Sequence, residues 1–148
     1  MYESLVAECH NQEIEIYEEY ITDSIKGLYS DNIIWINKRI KSPIEKTCIL
    51  AEELGHHYTS FGNILDQSSI INRKQELRAR SWAYEKLVPL YKIVQAKKAG
   101  VNNRFELAEF LGVTEEFLES ALTRYRGKYG IFTYVNNHRL YFDPLNAC

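Results

Sequence analysis

The chain has 148 residues, of which 45% are hydrophobic and 13% aromatic, enough for one globular domain with a hydrophobic core. Its net charge of -2 provides no overall basic field, so general attraction to nucleic acid or to anionic membranes is not expected, and any such binding would need a local patch. No apolar run approaches the roughly 18 residues of a membrane span, and the first residues lack the pattern of a signal peptide. We therefore expect a cytoplasmic protein.

The three cysteines, Cys9, Cys48 and Cys148, are odd in number and none lies in a C-x-x-C pair. This pattern favours neither a disulfide framework nor a cysteine zinc knuckle. We expect reduced thiols, as is usual for a cytoplasmic protein.

The first part of the chain predicts a short helix followed by a small antiparallel sheet. Residues Tyr2 to His10 can form the helix, and Glu13 to Tyr17 alternates polar and apolar residues as a half-buried strand does. Two β-rich runs, Gly27 to Tyr29 and Ile33 to Ile36, flank the turn-like Ser30-Asp31-Asn32, which predicts a β-hairpin.

A second helix is predicted from Ser42-Pro43-Ile44-Glu45 to about Tyr58 or Thr59. Serine can cap a helix, proline is tolerated at the first helical position, and a glutamate three residues after the cap completes a capping box. The residues best suited to catalysis or metal binding lie on this helix.

The region that follows predicts a loop and then one long helix. Gly62 to Ser69 is interpreted as the loop, Asn72 is a candidate N-cap, and the helix extends from about Arg73 to Lys98. Because Pro89 lacks a backbone N–H, we expect it to kink or split this helix.

The last part predicts two short helices and a β-hairpin. The helices are Glu106 to Leu111 and Glu115 to Tyr125, joined at Gly112-Val113-Thr114, and the hairpin strands flank Asn136-Asn137. Cross-strand aromatic pairs in a small hairpin usually pack against a core. We therefore interpret the aromatic residues of the tail as packing residues rather than a stacking platform: Phe132, Tyr134, Tyr141 and Phe142.

Glu52 and His56 lie four residues apart on the second predicted helix and therefore share one face of it. With that spacing, both side chains can bind the same metal ion. Glu53 takes the place of the glutamate in the zincin motif H-E-x-x-H, where it serves as general base. A register shifted by one, with Glu53 and His57 as the pair, leaves Glu52 poorly placed as a base and is the less favoured alternative.

A third metal ligand should come from another helix, and Glu76 is the candidate. It lies near the start of the long helix predicted after the loop. Ala79 and Ala83 follow on the same helix and are small enough to allow close packing against a neighbouring helix.

Two longer motifs of the chain resemble the motifs of a known family. Leu50-Ala51-Glu52-Glu53-Leu54-Gly55-His56 resembles the L-A-H-E-L-G-H core of ImmA/IrrE metallopeptidases, and Glu76-x-x-Ala79-x-x-Trp82-Ala83 resembles their downstream E-x-x-A-x-x-F-A. The likeness continues through Leu107 to Thr114, and the phage-encoded members are the most similar. It implies an α+β, minimal zincin-like domain over residues 1–148, with a small antiparallel sheet packed on a metal-bearing helix, C-terminal helices and a β-hairpin.

The predicted metal ligands are Glu52, His56 and Glu76, with Glu53 as catalytic base, but Glu52 stands where the family motif has its first histidine. Two glutamates and a histidine bring two negative charges to a divalent ion, which makes the site net neutral and the ion a weaker Lewis acid. Zn²⁺ is the expected ion, and the harder oxygen ligands make Mn²⁺ or another divalent ion more competitive.

The resemblance implies a metallo-endopeptidase that cleaves a helix-turn-helix repressor of a phage or mobile element and so relieves repression. The alternative is a non-catalytic adaptor that keeps the fold and binds the repressor without cutting it. A DNA-binding regulator is a third class, since Leu107 to Leu118 resembles a helix-turn-helix. DNA binding by this segment is disfavoured, because acidic residues on the recognition helix repel a polyanion. These residues are Glu115, Glu116 and Glu119. We expect no direct binding to nucleic acid or membrane.

Overall fold

The structure, a computed structural model, describes residues 1–59 and 70–147, with the backbone alone at 70–72. The chain forms two compact units, Met1–Ala83 and Tyr84–Cys148. The assignment of residues 1–148 to a single domain stays a prediction. Within the described residues, no helix is long and apolar enough to cross a membrane.

The first unit contains a short helix, a three-stranded sheet and two longer helices. Its elements are α1 (Tyr2–Asn11), β1 (Glu15–Glu19), β2 (Gly27–Ser30), β3 (Ile33–Asn37), α2 (Pro43–Thr59) and α3 (Ile70–Leu87), of which α3 continues into the second unit. Cys9 and Cys48 are buried thiols in this unit, and Cys148 lies outside the described residues. The fully buried apolar side chains of the unit include Leu5, Ile34, Ile36, Leu50, Leu54, Ala79 and Ala83.

The predicted hairpin is confirmed as β2 and β3, which pair antiparallel. Its two-residue turn is Asp31-Asn32, and both residues have positive φ, 47° and 63°, as a hairpin turn of the type I′ class requires. The strand order is β1-β3-β2, with β1 parallel to β3. The prediction of a purely antiparallel sheet is therefore wrong, because β1 pairs with the far edge of β3 instead of with its chain neighbour β2.

Helix α2 begins and ends where the sequence predicts. The Ser42 hydroxyl accepts a hydrogen bond from the backbone N–H of Glu45 at 3.2 Å, and this bond satisfies one of the donors left unpaired at a helix start. The Glu45 carboxylate lies 3.5 Å from Lys26 Nζ. Helix α2 packs against β2, β3 and α1, so the expected packing of the sheet on this helix is confirmed.

The second unit begins within α3 and is helical before it ends in a sheet. It contains α4 (Leu90–Lys98), α5 (Arg104–Leu111) and α6 (Glu115–Tyr129). Pro89 splits the predicted long helix into α3 and α4. Asn72 is not the N-cap, because α3 already begins at Ile70; the loop predicted from Gly62 to Ser69 lies outside the described residues.

A three-stranded antiparallel sheet completes the second unit. Its strands are β4 (Phe132–Val135), β5 (His138–Phe142) and β6 (Leu145–Ala147), in that order. The hairpin of β4 and β5 confirms the prediction, whereas β6 has no counterpart in the sequence analysis because three residues are too few to show a period. Leu140 and Phe142 are buried on the inner face of this sheet.

Candidate active site

Helix α2 directs three polar side chains into one pocket, those of Glu52, Glu53 and His56. Glu53 is 9% exposed and His56 is 7% exposed. The spacing of Glu52 and His56 places them one helical turn apart, on the same face. The side chains that the sequence singles out on this helix therefore lie together.

The fourth predicted residue, Glu76, reaches the same pocket from α3. Its Oε2 lies 3.0 Å from His56 Nε2. The two helices approach closely at Gly55, where an added Cβ would lie 2.2 Å from the carbonyl oxygen of Ala79. Ala79 and Ala83 are fully buried, as their proposed role in close helix packing requires.

Arg80 also lines the pocket, although it was not among the site residues predicted from the sequence. Its Nε donates a hydrogen bond to Glu76 Oε1 at 3.2 Å, one turn along α3. Glu76 is thus held by His56 through one carboxylate oxygen and by Arg80 through the other. The signal was present in the sequence, because a glutamate followed by an arginine four residues later is a favourable pair on a helix.

Strand β2 also lines the pocket, through Gly27, Leu28 and Tyr29. A Cβ at Gly27 would lie 2.6 Å from Ile49 Cγ2 and 3.1 Å from Glu53 Oε2. Glycine therefore allows this strand to lie against α2 at the level of Glu53. Among the residues that the structure describes, β2 is the edge strand of its sheet.

Burial dominates the electrostatics of the two adjacent glutamates. It raises the pKa of the Glu53 carboxyl to about 7, with His56 acting in the opposite direction. Burial also raises the pKa of Glu52, which Arg80 partly offsets. A carboxyl that titrates near neutral pH can both take and return a proton, which is the property required of a general base.

The hydrogen bond between His56 and Glu76 favours the protonated form of His56 and the ionised form of Glu76. Burial lowers the pKa of His56, but the hydrogen bond to Glu76 and the charge of Glu53 outweigh it, so the pKa is raised. The same hydrogen bond lowers the pKa of Glu76 against the opposing effect of burial. The ionised forms of both side chains stabilise each other.

The buried Glu53 predicts a pH-dependent stability. Its carboxyl has a pKa raised to about 7 when folded and of about 4.3 when unfolded, so the folded state favours protonation and loses stability as pH rises between these values. In metal-free protein, Glu53→Gln should raise the free energy of unfolding by about 3–4 kcal/mol near pH 8, and by much less near pH 5. Denaturant unfolding at both pH values measures this.

Glu45→Gln is the control for that experiment, since Glu45 lies on the same helix with a side chain that is 34% exposed. It should change stability little at either pH. An equal effect of Glu53→Gln near pH 5 and near pH 8 would contradict the prediction.

The donor set fits a divalent ion in its chemistry, and two of the side chains also fit in their geometry. Tetrahedral ligands about 2.0–2.1 Å from a zinc ion lie roughly 3.3 Å from each other, close to the 3.0 Å between His56 Nε2 and Glu76 Oε2. Glu52 lines the same pocket, but residues 1–59 and 70–147 contain no group of three His, Cys, Asp or Glu side chains arranged to hold a metal. Its assignment as the third ligand stays a prediction.

The neighbouring residues His57 and Tyr58 have other partners. The Tyr29 hydroxyl lies 2.8 Å from His57 Nδ1, which gives His57 a role in joining α2 to β2. The Tyr58 hydroxyl donates to Glu8 Oε2 at 2.7 Å, which ties α2 to α1. Neither contact supports the register with Glu53 and His57 as the metal-binding pair.

Helices α5 and α6 confirm the two short helices that the sequence predicts, joined at Gly112-Val113-Thr114. Gly112 has a left-handed conformation between them, and the Thr114 hydroxyl caps α6 by accepting from the N–H of Phe117 at 3.0 Å. Glu115 and Glu116 are exposed at the start of α6. The expectation that acidic charge disfavours DNA binding by this helix stays a prediction.

Comparison with known proteins identifies a family. A family model described as the IrrE N-terminal-like domain, a peptidase family, matches residues 9–123. No curated protein and no solved structure matches the chain. The match contains the pocket residues of α2 and α3, and it confirms the resemblance seen in the motifs. This chain belongs to the IrrE N-terminal-like peptidase family, whose membership supports a metallopeptidase-like role and implies a metal cofactor.

Proposed function

We propose that this chain is a metal-dependent endopeptidase in which Glu53 is the general base. The observation that carries the proposal is the position of Glu53: a buried carboxyl whose pKa is about 7, in the same pocket as the His56–Glu76 pair. A group that titrates near neutral pH takes the proton of the attacking water and then passes it to the leaving amine.

His56 and Glu76 are the residues that would hold the metal, with Glu52 as the proposed third ligand. A bound divalent ion would supply Lewis acidity toward the scissile carbonyl and toward water. Arg80 orients Glu76 through its hydrogen bond of 3.2 Å, as outer partners of metal ligands commonly do. Zn²⁺ is the proposed ion, and the carboxylate-rich set also suits Mn²⁺.

The pocket is suited to an extended peptide. Strand β2 lies at the sheet edge and lines the pocket through Gly27, Leu28 and Tyr29. Edge strands present backbone N–H and C=O groups that can pair with an added peptide strand. A peptide bound in this way would run past Glu53, since an added Cβ on Gly27 would lie 3.1 Å from Glu53 Oε2.

The proposed substrate is a helix-turn-helix repressor of a phage or mobile element, cleaved in the cytoplasm to relieve repression. This choice rests on the resemblance to the phage-encoded members of the family. The edge strand supports a protein substrate with a segment that can become extended. The resemblance implies a repressor encoded nearby, and such a repressor would be the first candidate.

The metal part of the proposal is tested by elemental analysis of protein purified without chelator or affinity-tag metal. We expect about one divalent ion per chain, lost in both His56→Ala and Glu76→Ala, because removing one of few ligands weakens binding by at least tenfold. His10→Ala and Glu45→Ala are matched controls outside the pocket and should keep the ion. A native chain that contains no metal and takes up none when it is supplied would contradict the proposal.

The same protein is then incubated with a candidate helix-turn-helix repressor, and the products are identified by mass spectrometry. Cleavage that a chelator stops supports the endopeptidase. Stable binding of the repressor by a metal-loaded chain that never cleaves it would contradict the endopeptidase and favour the non-catalytic adaptor.

A further inference from the structure

One part of the active-site pocket is lined by a loop that adds no buried side chain to the core. The loop consists of residues 20–26, connects β1 to β2 and is called the pocket loop below. Its residues Ser24, Ile25 and Lys26 line the pocket. The structure describes the whole loop, and every side chain in it is exposed or half-buried. Apolar burial therefore does little to hold the loop in place, and hydrogen bonds of its backbone must do so.

The side chain that holds the pocket loop is Asn37, at the end of β3. Asn37 is 0% exposed. Its Nδ2 donates to the backbone carbonyl oxygens of three loop residues: Ile25 at 2.8 Å, Thr22 at 3.2 Å and Ile21 at 3.4 Å. Only the NH₂ group of the amide can donate to carbonyl oxygens, so these contacts fix its orientation. The Asn37 Oδ1 accepts from the backbone N–H of Arg39 at 3.2 Å.

Two further hydrogen bonds join the same two segments. The backbone N–H of Asn37 donates to the carbonyl oxygen of Lys26 at 2.8 Å. The Arg39 Nη2 donates to the carbonyl oxygen of Asp23 at 2.5 Å. Together with the three bonds of the Asn37 amide, they satisfy carbonyl groups along most of the pocket loop. The loop and the end of β3 therefore form one hydrogen-bonded unit that depends on Asn37.

This unit also determines where β2 begins, beside Glu53. In an antiparallel pair, residues that bond to the partner strand alternate with residues whose N–H and C=O groups face away from it. Lys26 bonds to β3 at Asn37, so the backbone groups of Gly27 face away from β3. An added Cβ on Gly27 would lie 3.1 Å from Glu53 Oε2. The backbone of Gly27 is therefore available to a peptide that lies next to the proposed general base.

We propose that Asn37 is a positioning residue for the peptide substrate, because it holds residues 24–27 in the conformation with which the substrate backbone pairs. This inference rests on the proposed function, since it concerns how a peptide is bound beside Glu53. Asn37 is not one of the pocket-lining residues, so it acts through Lys26 and Gly27. A loop that is already ordered lowers the entropic cost of binding an extended peptide.

The effect of Asn37 should fall on peptide binding rather than on the metal. The proposed metal ligands lie on α2 and α3, where His56 and Glu76 are 3.0 Å apart and the helices meet at Gly55. Asn37 makes its hydrogen bonds to the pocket loop instead. A variant that loses them should bind a divalent ion as the native chain does. With a cleaved substrate, the loss should appear in KM and not in kcat, as expected when binding alone is weakened.

The test compares two probes of the zinc-loaded full chain by isothermal titration calorimetry, acetohydroxamate and trialanine hydroxamate. Both bind a metal through the hydroxamate group, but only the second has a peptide backbone that can pair with β2 and the pocket loop. Asn37→Ala should weaken the binding of trialanine hydroxamate by roughly 5- to 100-fold, which corresponds to the loss of one or two backbone hydrogen bonds. The affinity for acetohydroxamate and the metal content should not change.

Thr47→Val is the matched control for the loss of a buried polar group. Thr47 is 4% exposed, and its hydroxyl donates to the carbonyl oxygen of Pro43 at 2.9 Å within α2. The variant should lower the unfolding midpoint, as Asn37→Ala does, and leave both affinities as in the native chain. Arg39→Ala is a second test variant, because this exposed side chain bonds to Asp23 and its removal should not prevent folding. It should weaken trialanine hydroxamate alone, by roughly 2- to 10-fold.

Unchanged binding of trialanine hydroxamate by Asn37→Ala would overturn the inference, and so would equal weakening of both probes, which would assign Asn37 a purely structural role. A metal-loaded native chain that binds the two probes with equal affinity would overturn it as well. If Asn37→Ala does not fold, Arg39→Ala decides, and an unchanged affinity for the peptide probe contradicts the inference. A native chain that takes up no metal would contradict the proposed function and this inference with it. Metal analysis therefore distinguishes the two failures.

Discussion

Glu53→Gln is expected to lower the rate of peptide hydrolysis by about 10²–10⁴-fold, the usual contribution of a general base. The amide has nearly the shape of the carboxyl but cannot accept the proton of the attacking water. Because Glu53 is buried and its carboxyl has a pKa raised to about 7, the neutral glutamine should fit the pocket at least as well. The measurement is kcat/KM for the cleaved repressor or for a peptide spanning its cleavage site.

The metal content distinguishes a variant that lacks only the general base from a variant that can no longer bind the metal. Glu53→Gln should retain the metal of the native chain, whereas His56→Ala should lose both metal and activity. Glu45→Gln on the same helix should leave hydrolysis unchanged. A Glu53→Gln chain that keeps more than a tenth of the native kcat/KM would exclude Glu53 as the base.

Gly55→Ala is expected to destabilise the first unit strongly and to disrupt the site. The added Cβ would lie 2.2 Å from the carbonyl oxygen of Ala79. That oxygen belongs to the backbone of α3, so it cannot move away by a side-chain rotation. Helices α2 and α3 must move apart, at a cost of about 2–3 kcal/mol for overpacking a tight contact. His56 and Glu76, which lie 3.0 Å apart across these helices, would then separate.

The unfolding midpoint and the metal content of Gly55→Ala check this prediction together. For a chain of this size, the destabilisation corresponds to a decrease of roughly 6–12 °C. Gly127→Ala in α6 is a matched control, because its Cβ would meet nothing within 4 Å and alanine is the better helix former. Gly127→Ala should therefore be neutral or slightly stabilising, and a Gly55→Ala chain as stable as the native one would disprove the role of Gly55.

Local features of the fold were predictable because neighbouring residues determine them. Ser42 and Pro43 predicted the start of α2, Ser30-Asp31-Asn32 predicted the turn between β2 and β3, and Pro89 predicted the break between α3 and α4. Each depends on backbone conformations or hydrogen bonds within a few residues. The pairing of β1 with β3 was missed, because alternation indicates a strand but does not identify its partner.

The sequence by itself determined that Glu52, Glu53 and His56 share one region of one helix, because a spacing of four residues is one helical turn. Only the tertiary structure decided what meets them: Glu76 and Arg80 from α3, through the close contact of Gly55 with Ala79, and the edge of β2, through Gly27. Tertiary packing likewise decided that Phe142 is buried while Tyr134 is exposed. Contacts between elements depend on which faces pack together over the whole chain, and no single segment contains that information.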